Sequence, residues 1–375
     1  MAGLNDRVAV SILTGFLGAG KSTLLNRVLK DPAMKDAAII INEFGEVGID
    51  HLLVTAADEQ MVELADGCLC CTVRGALVDT LAMIADAMQT GGIRPLSRIV
   101  IETTGLADPA PVMQSVIGNP VIAQNFEIEG MVTVVDAINA LQTIERYPEA
   151  MKQVAVADRL VLSKLSLADD ETAERLRTRL RALNPRAQII DGDAPEAGSA
   201  ALFATGLYDP ATKLPDVARW LHSEAEADTH HHDHHHGHEG HHHHHDVNRH
   251  GHTIRSYAIT HDQPIERMAI EMFVDLLRST HGDKILRMKA IVALADDPNR
   301  PLVLHGVQSI FHRPERLPAW PDGASRETRL VLITDGLAES YVRELFDAFV
   351  GKPAPDRPDR QALESNPLAV PGMRF

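Results

Sequence analysis

The sequence predicts an α/β protein, in which a domain with a doubly wound, mainly parallel sheet is followed by a smaller C-terminal α+β domain. Three observations carry this prediction. The chain has 375 residues, which is more than one small domain needs. Short buried strands alternate with helical patterns in its first part. A histidine-rich stretch without apolar periodicity then separates that part from the rest.

Short apolar runs, most of them rich in β-branched residues, indicate strands buried on both faces of a parallel sheet. These runs are Val8–Leu13, Ala37–Ile41, Ile99–Ile101, Met131–Val135 and Leu160–Leu162. Between them, two sets of apolar residues repeat at helical spacing. The sets are Leu77, Leu81, Ile84 and Met88, and then Ala173, Leu176, Leu180 and Leu183. A sheet of this kind binds its ligand at the carboxyl ends of the strands.

The C-terminal part combines strands with two helices. Its predicted strands are Thr253–Ile259, Leu286–Leu294, Leu302–Val307 and Arg329–Ile333. A turn-rich link over Asp296–Arg300 predicts a hairpin between two of them. Apolar residues at helical spacing mark the buried faces of the helices. They are Ile265, Met268, Met272 and Leu276 in one helix, and Ala338, Val342, Leu345 and Phe349 in the other.

Composition sets the domain boundaries. Fourteen of the 20 histidines lie between His230 and His252, where few apolar residues offset the entropy of ordering. We therefore predict an α/β domain over residues 1–223, a disordered histidine-rich linker over 224–252 and an α+β domain over 253–350. Residues 351–375 are predicted as a proline-rich tail.

Charge and cysteine usage exclude several classes of function. The net charge of −16 repels phosphate backbones, so no nucleic-acid partner is expected. No apolar run is long enough to cross a membrane, and Met1–Arg7 is too short and polar for a secretory signal. Three cysteines cannot build a disulfide framework and indicate reduced thiols. These features predict a cytoplasmic protein without a membrane partner.

A phosphate-binding loop follows the first predicted strand. Residues 15–22 read Gly-Phe-Leu-Gly-Ala-Gly-Lys-Ser and lead into a helical pattern. Such a loop turns backbone N–H groups toward phosphate oxygens, and the helix N-terminus adds favourable dipole charge. Lys21 is expected to reach the β- and γ-phosphates, and the Ser22 hydroxyl to ligate magnesium. The strand and helix on either side favour a P-loop NTPase domain over a plain glycine turn.

An acidic residue at the end of another strand suits the magnesium side of such a site. Ile99–Ile101 leads into Glu102, Thr103, Thr104 and Gly105. We expect Glu102 to hold magnesium through water and the Gly105 N–H to contact the γ-phosphate. Asp136 ends a further apolar strand, but no glycine follows it, so we assign it a supporting or structural role.

The base-recognition loop is less clear. Leu160–Leu162 is followed by Ser163, Lys164, Leu165 and Ser166. A guanine-specific loop usually reads Asn-Lys-x-Asp, because the aspartate accepts from both N1 and N2 of guanine. Ser166 cannot make that bidentate pair, although Lys164 can lay its methylenes along a base. The residues alone predict a purine triphosphate.

All three cysteines lie in one short segment, as Cys68, Cys70 and Cys71. Clustered thiolates suit zinc, cobalt or Cu(I) and leave a position for another ligand. Glu43 and Glu46, in the polar loop Asn42–Gly48 after the second strand, are candidate carboxylate ligands. The histidine run adds many imidazoles without fixed geometry and is expected to bind metal weakly and exchange it quickly.

The order of four motifs resembles the CobW-like family of P-loop GTPases, also called metallochaperone GTPases. The motifs are Gly15–Ser22, Asn42–Gly48, Gly67–Thr72 and Glu102–Asp108. Beyond the histidine run, His305–Phe311 and Arg316–Trp320 look like that family's C-terminal domain. The cysteine segment is the most specific of these motifs, and the resemblance covers nearly the whole chain except its tail.

The resemblance implies slow GTP hydrolysis coupled to the handling of zinc or cobalt, with magnesium as cofactor. Some relatives serve cobalamin synthesis, and others deliver zinc to metalloenzymes. By motif, Lys21 and Glu102 are the implied catalytic residues. The expected nucleotide-binding residues are Gly15, Gly18, Ala19, Gly20, Lys21, Ser22, Thr23, Gly105, Ser163 and Lys164. The expected metal ligands are Ser22 and Glu102 for magnesium, and Glu43, Glu46, Cys68, Cys70 and Cys71 for the transferred metal.

Three hypotheses about function follow. The first is a GTPase that loads metal into a metalloenzyme or metal-insertion client protein. The second is a metal buffer in which the histidines dominate and hydrolysis is vestigial. The third, a P-loop kinase with a small acceptor, leaves the clustered thiols unexplained. The departures at Ser163 and Ser166 leave strict guanine specificity open, and the sequence leaves a homodimer open.

Overall fold

The computed structural model describes residues 7–42, 54–55, 61–62, 73–203, 254–311, 314–321 and 325–351. Several predicted features lie outside these ranges. They are Glu43, Glu46, the three cysteines, the histidine-rich linker and the tail from Lys352 on. None of the helices within the described ranges combines the length and the apolar character needed to span a membrane.

The first domain is built on a six-stranded parallel sheet, as predicted. Its strands are β1 (Val8–Gly15), β2 (Ala37–Asn42), β5 (Arg98–Thr103), β6 (Phe126–Asp136), β7 (Arg159–Ser163) and β8 (Gln188–Asp191). Their order is β2-β5-β1-β6-β7-β8, which places β1 at the centre. A separate two-stranded sheet pairs β3 (Val54–Thr55) with β4 (Met61–Val62). All five predicted strand runs are confirmed.

Helices cover both faces of this sheet. They are α1 (Lys21–Val28), α2 (Val73–Gln89), α3 (Ala110–Ile117), α4 (Pro120–Asn125), α5 (Ala140–Arg146), α6 (Pro148–Val156) and α7 (Asp170–Leu183). The predicted helical stripes are confirmed in α2 and α7, whose apolar residues pack against the sheet. Strand β8 was not predicted, because it lies at the sheet edge and only two of its residues, Ile189 and Ile190, are apolar.

The C-terminal domain is an antiparallel sheet covered by two helices. Its strands are β9 (Ile254–His261), β10 (Ile285–Leu294), β11 (Asp297–Val307), β12 (Ile310–Phe311), β13 (Glu315–Arg316) and β14 (Thr328–Asp335). The main order is β12-β11-β10-β14-β9, and β13 pairs with β11. The predicted hairpin is present, but the link over Asp296–Arg300 is wrong in length. Leu294 pairs with Asp297, and a register shift nearby lets the polar residues 297–300 extend β11.

Within the residues that the structure describes, the helices of this domain are α8 (Arg267–His281) and α9 (Glu339–Phe349). Helix α8 buries a face other than the predicted one. Met268, Met272 and Leu276 are 72%, 53% and 39% exposed, whereas the buried residues are Ile270, Phe273, Val274 and Leu277. Both faces satisfy helical spacing, and the aromatic contact decides between them. The ring of Phe273 packs edge-on against Phe346 of α9, with centroids 5.3 Å apart.

The two domains share a buried interface. Successive residues of β10 face opposite sides of the antiparallel sheet wherever its register is regular. Met288 and Ala290 face α8 and α9. Leu286 lies at the register shift between Ile285 and Arg287 and faces the other way, so it joins the core of the parallel-sheet domain together with Val307 and Ile333. Arg287 reaches Asp158, the residue before β7, in an ion pair between the domains.

Candidate functional site

The phosphate-binding loop connects the central strand β1 to α1 at the carboxyl edge of the parallel sheet. Gly18 and Gly20 have left-handed φ angles of 72° and 92°, a conformation that favours glycine and turns successive N–H groups inward. The loop closes on itself through a hydrogen bond of 3.1 Å from the Ala19 N–H to the Phe16 carbonyl. Lys21 Nζ donates to the Gly15 carbonyl at 3.0 Å, which places its ammonium group at the loop.

Ser22 and Glu102 meet where α1 begins, beside the end of β5. The register pairs Leu13 of β1 with Glu102 of β5. Ser22 Oγ, in the first turn of α1, donates to Glu102 Oε1 at 2.7 Å. Glu102 is only 6% exposed, and its Oε2 is buried without a hydrogen-bond partner among the described residues. A hydroxyl beside an unsatisfied carboxylate oxygen is a donor set that fits Mg²⁺.

The backbone around Gly105 lies against the phosphate-binding loop. A Cβ atom at Gly105 would lie 2.5 Å from the backbone nitrogen of Leu17, so this approach requires glycine. Gln153 of α6 fixes the segment by donating to the Gly105 and Ala107 carbonyls at 3.2 and 3.0 Å. The structure therefore brings Gly105 to the loop that carries Lys21.

The loop after β7 contacts the phosphate-binding loop directly. Ser163 Oγ donates to the Ala19 carbonyl at 2.7 Å. Lys164 has a left-handed φ of 56°, and its Nζ donates to the Gly18 carbonyl at 3.0 Å and to Asp136 Oδ2 at 2.7 Å. Both residues predicted to face the base therefore lie beside the loop predicted to bind phosphate.

Asp136 holds the Lys164 side chain in place, a partner that the sequence did not name when it predicted a supporting or structural role for Asp136. Burial alone raises the pKa of Asp136, but hydrogen bonds from Lys164, Asn139 and the Ile138 N–H outweigh burial and leave that pKa below its ordinary value. The carboxylate therefore stays charged at neutral pH. The pairing of neighbouring strands could have indicated this contact. Asp136 of β6 and Ser163 of β7 are register partners, and Lys164 is the next residue after Ser163.

A third loop at this edge was missed entirely. Gly192, Asp193 and Ala194 follow β8, and Arg27 of α1 donates to the Gly192 carbonyl at 2.7 Å. The Ser166 N–H donates to Asp193 Oδ2 at 2.9 Å. Three loops, after β1, β7 and β8, are thus joined by hydrogen bonds at one edge of the sheet. No local pattern marks the third loop, because its partners lie 27 and 165 residues away.

The predicted site for the transferred metal lies outside the described residues. This applies to Glu43, Glu46, Cys68, Cys70 and Cys71. Within the described ranges, no three or more His, Cys, Asp or Glu side chains lie close enough to hold a metal ion together. The placement of the five predicted ligands therefore stays a prediction.

The fold and the loops at the carboxyl edge of the parallel sheet are those of a P-loop nucleotide-binding protein. A glycine-rich loop joins a central parallel strand to a helix, and a buried acid stands at the end of the adjacent strand. Family models agree with this class. The nucleotide-binding domain of CobW/HypB/UreG matches residues 9–191, and the cobalamin synthesis protein cobW C-terminal domain matches residues 254–350. The chain belongs to the CobW/HypB/UreG family, and the resemblance drawn from its motifs is confirmed.

Similar proteins span the length of the chain. It is 31% identical over 339 residues to the zinc chaperone YjiA of Escherichia coli strain K12, which covers 90% of this chain and 98% of that protein. It is 30% identical over 369 residues to the zinc chaperone CobW of Pseudomonas aeruginosa, covering 90% of each. The crystal structure of Zn(II)-bound YjiA GTPase from E. coli has a TM-score of 0.62 at 27% identity and covers 92% of this chain and 99% of that one.

Proposed function

We propose that the chain binds and hydrolyses GTP and uses the nucleotide to control the binding and delivery of zinc or cobalt. The observation that carries the proposal is the contact of 2.7 Å between Ser22 Oγ and Glu102 Oε1 beside the phosphate-binding loop. Full-length similarity to proteins named zinc chaperones supports the metal part of the proposal.

In this proposal the residues in and beside the phosphate-binding loop have separate roles. Backbone N–H groups of residues 18–23 donate to phosphate oxygens, and the Lys21 ammonium neutralises the β- and γ-phosphates. The Ser22 hydroxyl and the Glu102 carboxylate hold Mg²⁺, which offsets phosphate charge when bound. The Gly105 N–H donates to the γ-phosphate. Gln153 keeps that N–H in place through its hydrogen bonds to the Gly105 and Ala107 carbonyls.

Metal is the cargo, and we propose Cys68, Cys70 and Cys71 as its thiolate ligands, with Glu43 and Glu46 as candidate carboxylate partners. GTP raises metal affinity at this site, and hydrolysis lowers it again. Linkage then requires metal to raise GTP affinity by the same factor. The recipient is a metalloenzyme or a metal-insertion protein, such as one of cobalamin synthesis. Thiolate ligands need a reducing compartment, so we place the protein in the cytoplasm.

The test is a set of zinc and cobalt titrations of the full chain with and without GTP and magnesium. Cobalt reports thiolate ligation directly through its absorption. We expect one tight site that needs GTP, and we expect its loss when Cys68, Cys70 and Cys71 are replaced by serine. Deletion of residues 229–252 serves as the matched control and is expected to keep that site.

A metal buffer is the second candidate, favoured by the 14 histidines between His230 and His252. It predicts the reverse pattern. Deletion of residues 229–252 would then remove most of the metal capacity, and the cysteine variant would keep it. Tight binding that is indifferent to nucleotide would separate the metal site from the triphosphatase and contradict the coupling.

A further inference from the structure

The predicted base loop lacks a carboxylate at position 166, and the structure brings one to that position from another loop. The Ser166 N–H donates to Oδ2 of Asp193 at 2.9 Å, although the two residues are 27 positions apart. Asp193 belongs to the loop after β8, which is the neighbour of β7 in the sheet. The carboxylate missing from one loop is thus supplied beside Ser166 by the next loop.

The position of Asp193 is fixed from three sides. The Gly192 N–H donates to the Leu162 carbonyl at 2.8 Å, and a Cβ atom at Gly192 would lie 2.4 Å from that oxygen, so only glycine allows this approach. The Asp193 N–H donates to Asp191 Oδ1 at 2.8 Å. Arg27 holds the Gly192 carbonyl at 2.7 Å. The loop is therefore attached to both β7 and the helix that follows the phosphate-binding loop.

The charge and exposure of Asp193 suit a ligand contact. Hydrogen bonds from the Ser166 N–H and hydroxyl keep the pKa of Asp193 below its ordinary value, so the group is ionised at neutral pH. The residue is exposed. On the other side of Ser166, Ser163 and Lys164 donate to carbonyls of the phosphate-binding loop. The loop that carries Ser166 is therefore attached to the loop predicted to bind phosphate.

We propose that Asp193 is the residue that reads guanine, accepting hydrogen bonds from N1–H and the N2 amino group in place of the serine at position 166. The inference rests on the proposed binding of GTP. A carboxylate is an acceptor at both oxygens and matches the two adjacent donors of guanine. Ser166 takes the supporting part by donating to Asp193.

The test compares nucleotide preference in the full chain by competition against a fluorescent GTP analogue. The competitors are GTP, inosine triphosphate, which lacks the N2 amino group, and xanthosine triphosphate, which has an acceptor oxygen there. The wild type is expected to prefer GTP over both. Asp193→Asn is expected to lose about 10- to 100-fold in GTP affinity and to gain affinity for xanthosine triphosphate, because an amide offers one donor and one acceptor.

Two further variants distinguish a loss of base recognition from a general disturbance of the loop structure. Asp170→Asn makes the same chemical change at an exposed residue nearby and is expected to keep the wild-type preference. The exchange variant, with Asp193→Ser and Ser166→Asp together, moves the carboxylate to the other loop and is expected to restore the preference for GTP over inosine triphosphate.

The outcomes separate this inference from the function it rests on. If the wild type binds no GTP, the proposed function fails first. If it prefers GTP and Asp193→Asn leaves the ratio of GTP to xanthosine triphosphate affinity unchanged, the inference is overturned and the proposed function stands. An equal loss for all three nucleotides would likewise overturn it, because it would mean that Asp193 only positions the loop.

Discussion

Asp158 of the parallel-sheet domain forms an ion pair with Arg287 of the antiparallel sheet, and both side chains are buried, at 5% and 8% exposure. Lys289 Nζ lies 3.0 Å from the same Asp158 oxygen, and the Met131 N–H donates to the other oxygen at 2.9 Å. Arg287 also donates to the Val156 carbonyl. One buried carboxylate therefore links the central sheet to the C-terminal domain.

Removing the charge of Asp158 should lower the free energy of unfolding of the protein. Asp158→Asn leaves the Arg287 and Lys289 cations buried without a counter-charge. We expect a loss of about 3–5 kcal/mol in the free energy of unfolding, measured by urea denaturation. The exposed Asp170→Asn variant is the control and should change that free energy by less than about 0.5 kcal/mol. A loss below about 1 kcal/mol at Asp158 would mean that water reaches the pair.

Lys289 makes the interface sensitive to pH. Burial, with repulsion from Arg287, lowers the pKa of Lys289 from 10.5 to about 8, although Asp158 opposes this shift. Between those values the unfolded chain holds the proton and the folded chain does not. The free energy of unfolding therefore increases with pH in that window. We expect a gain on the order of 2 kcal/mol between pH 8 and pH 10.

The matched variant for this prediction is Lys289→Met, which keeps the bulk and removes the titrating group. Its free energy of unfolding should lack the rise seen in the wild type. The comparison should stop near pH 10, because burial raises the pKa of Tyr257 to about 12 and the folded state then loses stability as pH increases further. Parallel curves for the wild type and Lys289→Met would show that the lysine does not titrate in this range.

The parallel-sheet domain could be predicted from sequence because its strands are buried on both faces and read as uninterrupted apolar runs. Helix α8 shows that residue spacing alone does not always identify the buried face of a helix. Its two candidate faces both satisfy helical spacing, and only the contact between Phe273 and Phe346, 73 positions further along the chain, decides which is buried. A helix with apolar residues on both sides needs its tertiary partner before its buried face can be assigned.

This choice of face can be measured. Phe273→Ala removes a fully buried ring and should cost about 3–5 kcal/mol in the free energy of unfolding. Met272→Ala, one position earlier on the exposed side, should cost less than about 0.5 kcal/mol. Thermal and urea unfolding of the two variants give the comparison. Equal costs would indicate that the exposed side of α8 is covered by another surface in solution.

The site was partly visible in the sequence for a similar reason. The phosphate-binding loop and Glu102 follow strands directly, so local order places them at one edge of the sheet. Asp136 and Asp193 act through partners 28 and 27 residues away. Such contacts depend on which strands are neighbours in the sheet. The sequence of a single loop does not reveal that order.

Glu102 provides the sharpest test of the nucleotide site. Glu102→Gln keeps the size of the side chain and an oxygen that can accept from Ser22 Oγ, but it removes the charge beside that hydroxyl. We expect GTP hydrolysis to fall by at least about 100-fold, because the lost charge acts where phosphate and magnesium meet. GTP binding measured in the presence of a chelator should change little, since the phosphate-binding loop is untouched.

The control for this variant is Glu171→Gln on the exposed first turn of α7, where hydrolysis should keep the wild-type rate. The dependence of hydrolysis on magnesium concentration distinguishes a metal-holding carboxylate from a structural one. A Glu102→Gln variant with a shifted magnesium dependence supports the assignment. If the rate and the magnesium dependence of this variant both match the wild type, Glu102 serves only to accept the hydrogen bond from the Ser22 hydroxyl. Another carboxylate must then hold the cation.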